Sequence, residues 1–360
     1  MSEEKRLAEI RTSIDSIDEQ IQQLISQRAR YAQEVAIVKA DQGDPVFYRP
    51  EREAAVLQKV KDRNQGPLSD DEMVRLAREI MSACLALEKP MQIAFLGPEG
   101  TYTQTAALKH FGHSVNTTPV GAIDEVFREV ESGAAHYGVV PIENSTEGMV
   151  NHTLDLFVHS PLLICGEVEL LIHHHLLSKV SDIKKIRKIY SHQQSFAQCR
   201  AWLNTHLNGV DQFIVKSNAE AARLAAQEEF AAAIAGETAA ELYGLTSLTA
   251  NIEDEPDNTT RFLIVGKQAT LSSGKDKTSL LITTQNRSGA LYQLLEPLQR
   301  NGVSMTRIES RPSKKGMWDY VFFVDIEGHC KDQKVKTALA DLQAQVAGLK
   351  VLGSYPQVGL

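Results

Sequence analysis

Between Leu7 and Val38, apolar side chains recur at Leu7, Ile10, Ile14, Ile17, Ile21, Leu24, Tyr31, Val35 and Val38, with no Gly or Pro before Gly43. Steps of three and four predict one amphipathic helix over residues 4–40. At about 1.5 Å per residue it is more than about 50 Å long. The rest of the first 90 residues supplies only two shorter helices, from Glu51 to Asp62 and from a capping box at Ser69 and Glu72 through Met73, Leu76, Ile80, Cys84 and Leu87. They are too short to cover the stripe. A second copy is its natural cover, so a homodimer or higher homo-oligomer is expected.

After Met91 the texture changes. Short apolar runs (IAFL, YGVVPI, KIYS, AAAIA, RFLIVG) alternate with amphipathic segments, which predicts α/β structure with mostly parallel sheets in two lobes around a cleft. A polar stretch, Gln268–Lys277, reads as a linker. Beyond it come a strand Ser279–Thr284, a helix Ala290–Asn301, strands Val303–Ser310 and Trp318–Ile326, a further helix and a last strand Lys350–Tyr355. That β-α-β-β-α-β order is ferredoxin-like.

The 360 residues are 42% hydrophobic, which excludes a disordered chain. A formal charge of −8, from 38 Lys and Arg against 46 Asp and Glu, excludes the basic surface that nucleic acid or an anionic membrane needs. Cys84, Cys165, Cys199 and Cys330 form no C-x-x-C pair, so neither a disulfide framework nor a zinc site is expected. The charged start MSEEKRLAEI and the lack of a long apolar run predict no export and no membrane span, hence a cytoplasmic protein.

Three places carry chemistry. Continuing the helical stripe past Leu24 puts a cation, Arg28, where an apolar residue belongs, and Lys39 lies roughly three turns on, about 20° round the axis. The two could converge on one small anion, with Arg11 serving the partner's pocket in an antiparallel dimer; the pattern alone equally fits Arg28 as a pairing-specificity residue in a coiled coil. In the middle stretch, GPEGTYTQ follows a strand but lacks the G-x-G-x-x-G spacing, so no dinucleotide is expected. His173, His174 and His175 alternate faces if they lie in a strand, which disfavours a metal site. Polar clusters at strand ends remain: Glu143, Asn144, Ser145 and Thr146; Ser191 and His192; Thr259, Thr260 and Arg261. Each alone reads as a turn or cap, and together they could line a cleft. In the last stretch, Gly289 opens a helix whose free amides could take a carboxylate, and a strand ends in Glu309, Ser310, Arg311 and Pro312.

Arg11, Arg28, Lys39, the Arg52-Glu53 pair of YRPERE and the helix ending MSACLALE resemble the all-helical chorismate mutase domain over residues 1–90. The resemblance implies that Arg11 of the partner, Arg28 and Lys39 clamp carboxylates and the ether oxygen of chorismate, and that Glu53 holds the ring hydroxyl. Arg49, Arg52, Cys84 and Glu88 join the site, with Glu88 and Cys84 standing where well-known relatives have Gln and Ser and Arg49 where they have a loop Asp. GPEGTYTQTAA, PIENSTEG, SHQQSFAQC and NTTRF resemble prephenate dehydratase along residues 91–268. By that likeness Thr260 is the essential hydroxyl, Arg261 a carboxylate anchor, and Asn144, Ser145 and Thr146 line the opposite wall. GAL (Gly289, Ala290, Leu291) and ESRP (Glu309–Pro312) resemble the phenylalanine-binding ACT domain over residues 277–356, which implies an effector held between two such domains.

The three likenesses together imply a multidomain chain: an all-α dimeric helical domain, a two-lobed α/β domain like a periplasmic binding protein, and an α+β ferredoxin-like domain. They imply chorismate and prephenate as substrates, L-phenylalanine as feedback inhibitor, and neither cofactor nor metal. Two other readings are a dehydratase whose mutase domain has decayed to a dimerisation module, and a non-catalytic amino-acid sensor.

Overall fold

The structure, a computed structural model, describes residues 3–41, 48–285, 287–312 and 320–357. Two compact units divide the chain: Met1–Arg49, Val56–Met91 and Phe111–Asn116 in the first, and Pro50–Ala55, Gln92–His110 and Thr117–Leu360 in the second.

Helix α1 (Glu3–Asp41) runs 39 residues, as the stripe predicts. On a single chain its apolar row stays in solvent, from 48% exposed at Ile21 to 64% at Leu24. A contiguous row of that kind marks an interaction surface. Helix α2 (Pro50–Arg63) starts on a proline, whose fixed φ suits a first turn, and α3 (Asp70–Ala86) starts where the Ser69 hydroxyl accepts the Glu72 N–H at 3.2 Å.

β1 (Gln92–Leu96), α4 (Tyr102–Phe111), β2 (Asn116–Val120), α5 (Ile123–Ser132), β3 (Tyr137–Asn144), β4 (Gly148–Met149), α6 (Asn151–His159) and β5 (Leu163–Leu171) build a first lobe. The chain crosses to a second lobe of β6 (His175–Ser178), β7 (Lys188–Ser191), α7 (Gln193–Gln198), α8 (Arg200–His206), β8 (Asp211–Ile214), α9 (Asn218–Ala225), β9 (Ala231–Ala235), α10 (Glu237–Tyr243) and β10 (Thr246–Thr249). It then returns as β11 (Thr259–Gly266) into the first sheet, whose order is β2-β1-β3-β11-β5 with β4 on β3. The second sheet runs β10-β6-β9-β7-β8. These sheets are mixed rather than mostly parallel. β11 enters the first lobe from the edge where β3 and β5 end, so it must run antiparallel to both.

The remaining elements are β12 (Asp276–Thr284), α11 (Ala290–Arg300), β13 (Met305–Pro312), β14 (Tyr320–Glu327), α12 (Gln333–Gln343) and β15 (Gly348–Pro356), an antiparallel sheet ordered β13-β14-β12-β15. Trp318, expected in the third strand, lies outside the described residues. Strand alternation sends Leu280 and Ile282 to the helices α11 and α12, and Leu281 to the other face. That other face shares a core with the first lobe: Leu281, Val321, Phe323, Leu352 and Tyr355 pack with Phe157, Ile164, Leu263 and Val265. β15 lies so close to β5 that a Cβ on Gly353 would overlap the Ile164 backbone.

The segment expected as a linker is an ordered turn. Asp276 accepts hydrogen bonds from the Ser272 hydroxyl at 2.8 Å, the Ser273 hydroxyl at 2.7 Å and the Gly274 N–H at 3.2 Å. Its Ser and Gly residues serve a buried carboxylate rather than flexibility.

Candidate functional site

A cavity of about 850 Å³ opens between the two lobes. The first lobe lines it with the Gly97–Thr103 turn, Asn144, Asn258, Thr260 and Phe262, and the second with His192, Gln194, Ser195, Lys216–Glu220 and Arg223. Both walls are strand ends and helix starts, the usual place for a ligand in an open α/β sheet.

Thr260 and Asn144 are cross-strand partners on β11 and β3. The Asn144 amide donates to Thr260 Oγ1 at 2.8 Å and to Asn258 Oδ1 at 2.9 Å, while its own oxygen accepts the Thr146 and Glu147 N–H groups at 3.0 Å each. Four bonds fix the orientation of that amide. A hydroxyl that accepts from Asn144 keeps its own proton for another acceptor, and both groups face the cavity.

Asn144, expected on the opposite wall, pairs with Thr260 on the same one, and Ser145 and Thr146 do not stand across the cleft from it either. They sit in the turn beside it, donating to Asn258 Oδ1 at 3.4 and 3.3 Å, because β3 and β11 are adjacent strands. The opposite wall belongs to the second lobe.

Arg261 does not reach the cavity either. Successive strand residues face opposite sides, so Thr260 and Phe262 line the cleft and Arg261 turns away from it. Its guanidinium is buried against Glu167, with Nε donating at 2.7 Å, and against Asp325 at 2.8 Å. Burial opposes its charge, but Tyr355, Asp325 and Glu167 outweigh burial and hold it protonated.

The cavity's cations are therefore elsewhere. Among the described lining residues they are Lys216 and Arg223; the imidazoles of His174 and His192 also line the cavity. The signal was the segment KSNAEAAR, where Ser217 caps α9 by accepting the Glu220 N–H and brings Lys216 to the helix start. Sequence reasoning also passed over Asn258, Tyr102 and Gln198. The Tyr102 hydroxyl donates to the His173 carbonyl at 2.7 Å and lies 3.0 Å from His174 Nδ1, and Gln198 contacts His174 Nε2 at 2.8 Å. His173 pairs with Glu253 at 2.7 Å, which ties the two segments that cross between the lobes. Burial pushes the His174 pKa down, so this ring is neutral at neutral pH. Burial also pushes the Cys165 thiol up to about 12, which leaves it unreactive.

In the first unit, Arg11 and Arg28 lie exposed on α1, Lys39 is half-buried and Cys84 is buried. Glu88 lies just beyond the end of α3, its N–H on the Leu85 carbonyl at 3.0 Å. Its Oε2 is buried with no hydrogen-bond partner among the described residues. Burial pushes the Glu88 pKa up, and the Lys39 charge pulls it back. Arg49, also of the first unit, is the N-cap residue of α2; Arg52 and Glu53, in the first turn of that helix, belong to the second unit.

In the C-terminal domain, Gly289 caps α11 at φ +80°, a conformation that favours glycine, with Ala290 and Leu291 in the first turn. Glu309, Ser310, Arg311 and Pro312 end the edge strand β13. Arg311 reaches back to the first lobe, to the Asp155 carboxylate at 2.8 Å and the Asn151 carbonyl at 2.6 Å.

Among known families, residues 10–89 match chorismate mutase type II, residues 93–270 match prephenate dehydratase and residues 278–344 match the ACT domain. The chain is 55% identical to the bifunctional chorismate mutase/prephenate dehydratase of Stutzerimonas stutzeri over 365 aligned positions, covering 100% of both. It is 54% identical to the protein of the same description from Pseudomonas aeruginosa, again over 100% of both. A solved prephenate dehydratase from Arthrobacter aurescens in complex with L-Phe is 33% identical with a TM-score of 0.68, covering 74% of this chain and 90% of that one.

Proposed function

The chain belongs to the bifunctional chorismate mutase/prephenate dehydratase family, and from that premise we propose how its residues divide the work. It rearranges chorismate to prephenate and converts prephenate to phenylpyruvate, carbon dioxide and water. Residues 1–90 carry the first reaction, 91–268 the second, and 277–356 sense L-phenylalanine, the ligand named for the Arthrobacter aurescens enzyme. The decayed-mutase and sensor readings have no comparable support. No helix among the described residues is long and apolar enough to cross a membrane.

The observation that carries the dehydratase assignment is the Asn144–Thr260 pair on the cavity wall. In the reaction the bond from the ring to its carboxylate breaks, that electron pair enters the ring, and the ring C–O bond releases hydroxide, which leaves as water on taking a proton. The Thr260 hydroxyl donates its hydrogen bond to the departing oxygen, and Asn144 holds Thr260 in place. Phe262, Ile172 and Pro141 offer an apolar seat to the carboxylate that becomes carbon dioxide, while Lys216 and Arg223 hold the other. Purified chain supplied with chorismate should accumulate phenylpyruvate, read by its absorbance in alkali. Formation of neither prephenate nor phenylpyruvate would overturn the assignment.

In the mutase, negative charge grows on the ether oxygen, and cations with hydrogen-bond donors stabilise it. Arg28 and Lys39 supply the charge, Arg11 serves the partner's site, and Glu88 serves as donor in place of an amide. A carboxyl group donates only when protonated. Burial raises the Glu88 pKa, so the protonated form persists to higher pH than for an exposed Glu, and it is lost as pH rises through that value. Mutase activity should therefore fall with rising pH, and Glu88→Gln should keep activity and flatten the profile. An unchanged falling limb in Glu88→Gln would remove Glu88 from the site.

A further inference from the structure

Glu143 and Arg261 are cross-strand partners on β3 and β11, one step from the partners Asn144 and Thr260. Alternation turns Arg261 to the face opposite the cavity, against the sheet of the C-terminal domain, where Arg307 of β13 and Asp325 of β14 are themselves cross-strand partners. Glu143 pairs with Arg307, and Arg261 pairs with Asp325 at 2.8 Å. Two oppositely charged couples from two sheets thus close a ring directly behind the catalytic pair.

The ring is anchored on both sides. Glu167 of β5 takes Arg261 at 2.6 Å and Lys277 of β12 at 2.6 Å. The Ser279 hydroxyl donates to Asp325 at 2.5 Å and lies 2.7 Å from the Tyr355 hydroxyl, which also receives Arg261 at 3.1 Å. The side chains of Glu167, Arg261 and Asp325 are 0%, 8% and 10% exposed. Buried charges of this kind are costly to leave unpaired, so a displacement of one partner is followed by the other rather than absorbed. The next residues of β13 on the same face are Glu309, which borders a void of about 30 Å³ beside Arg261 and Asp325, and Arg311, bound to α6. The strand end assigned to the effector is therefore continuous with the ring.

We propose that this ring couples the C-terminal domain to the dehydratase site: Arg261 is a positioning residue, and β13 acts through Arg307–Glu143 and Asp325–Arg261 on the backbones that carry Asn144 and Thr260. The proposal rests on the assignments of Thr260 and of the phenylalanine sensor. Coupling between two sites is a free energy that can be lost while both sites survive.

The test uses the full chain with Asp325→Asn and, separately, Arg307→Gln, whose partner is partly exposed and whose folding risk is smaller. Phenylalanine binding is followed by calorimetry and dehydration by phenylpyruvate absorbance. The expected result is a basal dehydratase rate and phenylalanine affinity each within about threefold of wild type, with the concentration giving half-inhibition raised about tenfold. Glu143→Gln added to Arg307→Gln should raise it no further, since both remove one contact. Half-inhibition unchanged in both single variants overturns the proposal, as does loss of phenylalanine binding in step with loss of inhibition. Wild type that neither binds nor responds to phenylalanine would instead refute the sensor assignment, and a fully active Thr260→Ala would refute the site.

Discussion

Replacing Thr260 by Ala is expected to lower prephenate dehydration by about 10²- to 10⁴-fold while chorismate rearrangement continues at its wild-type rate. The substitution removes the hydroxyl that accepts from Asn144 at 2.8 Å and leaves the rest of the wall, since Thr260 is only half-buried and its strand neighbours Phe262 and Ile264 hold β11 in the core. The orphaned Asn144 amide keeps Asn258 as acceptor, so folding should be little affected. Thr260→Ser restores a donor at the same place and should recover much of the rate. Prephenate consumption and phenylpyruvate formation measure one activity, and chorismate loss measures the other. Retention of dehydration within tenfold in Thr260→Ala would show that the proton comes from another group.

The elements that a single periodicity determines were legible. α1 needs nothing beyond its three-and-four stripe, and the order of the C-terminal domain follows from runs of period two and 3.6. What failed depends on partners distant in sequence. β11 reads as another parallel strand until the chain is seen to return from the second lobe at the edge where β3 ends. Asp276 makes an ordered turn of Ser272–Gly274, and its burial comes from packing, not from local pattern. At the site, the motif likeness implied Thr260 and Arg261 on one wall and Asn144 on the opposite one, whereas Asn144 pairs with Thr260 and Arg261 turns away from the cleft. Adjacent residues of one strand cannot both face one cleft, so the period-two rule applied to Thr260 and Arg261 already separates them. The cationic wall from Lys216 to Arg223 was less legible, because a capped helix start with charges reads first as ordinary surface.

Arg28 provides the second large effect and a way to separate two roles that its position allows. It continues the three-and-four row of α1 between Leu24 and Tyr31, both exposed on the single chain at 64% and 57%. If a second copy covers that row, the Arg28 guanidinium is desolvated and is tolerated only opposite an anion. A substrate carboxylate meets that need, and the guanidinium fork can bind it through two parallel hydrogen bonds. Arg28→Ala should therefore lower mutase activity by about 10²- to 10³-fold with dehydration of added prephenate unchanged. Arg28→Lys keeps the charge but not the fork, so it should recover only part of the rate. Arg28→Leu is the most discriminating variant: an apolar residue in the covered row should raise the melting temperature of the assembly while mutase activity stays lost. If Arg28 only sets helix pairing, the Leu variant keeps the mutase or changes its oligomeric state, and sedimentation beside a chorismate assay distinguishes these outcomes.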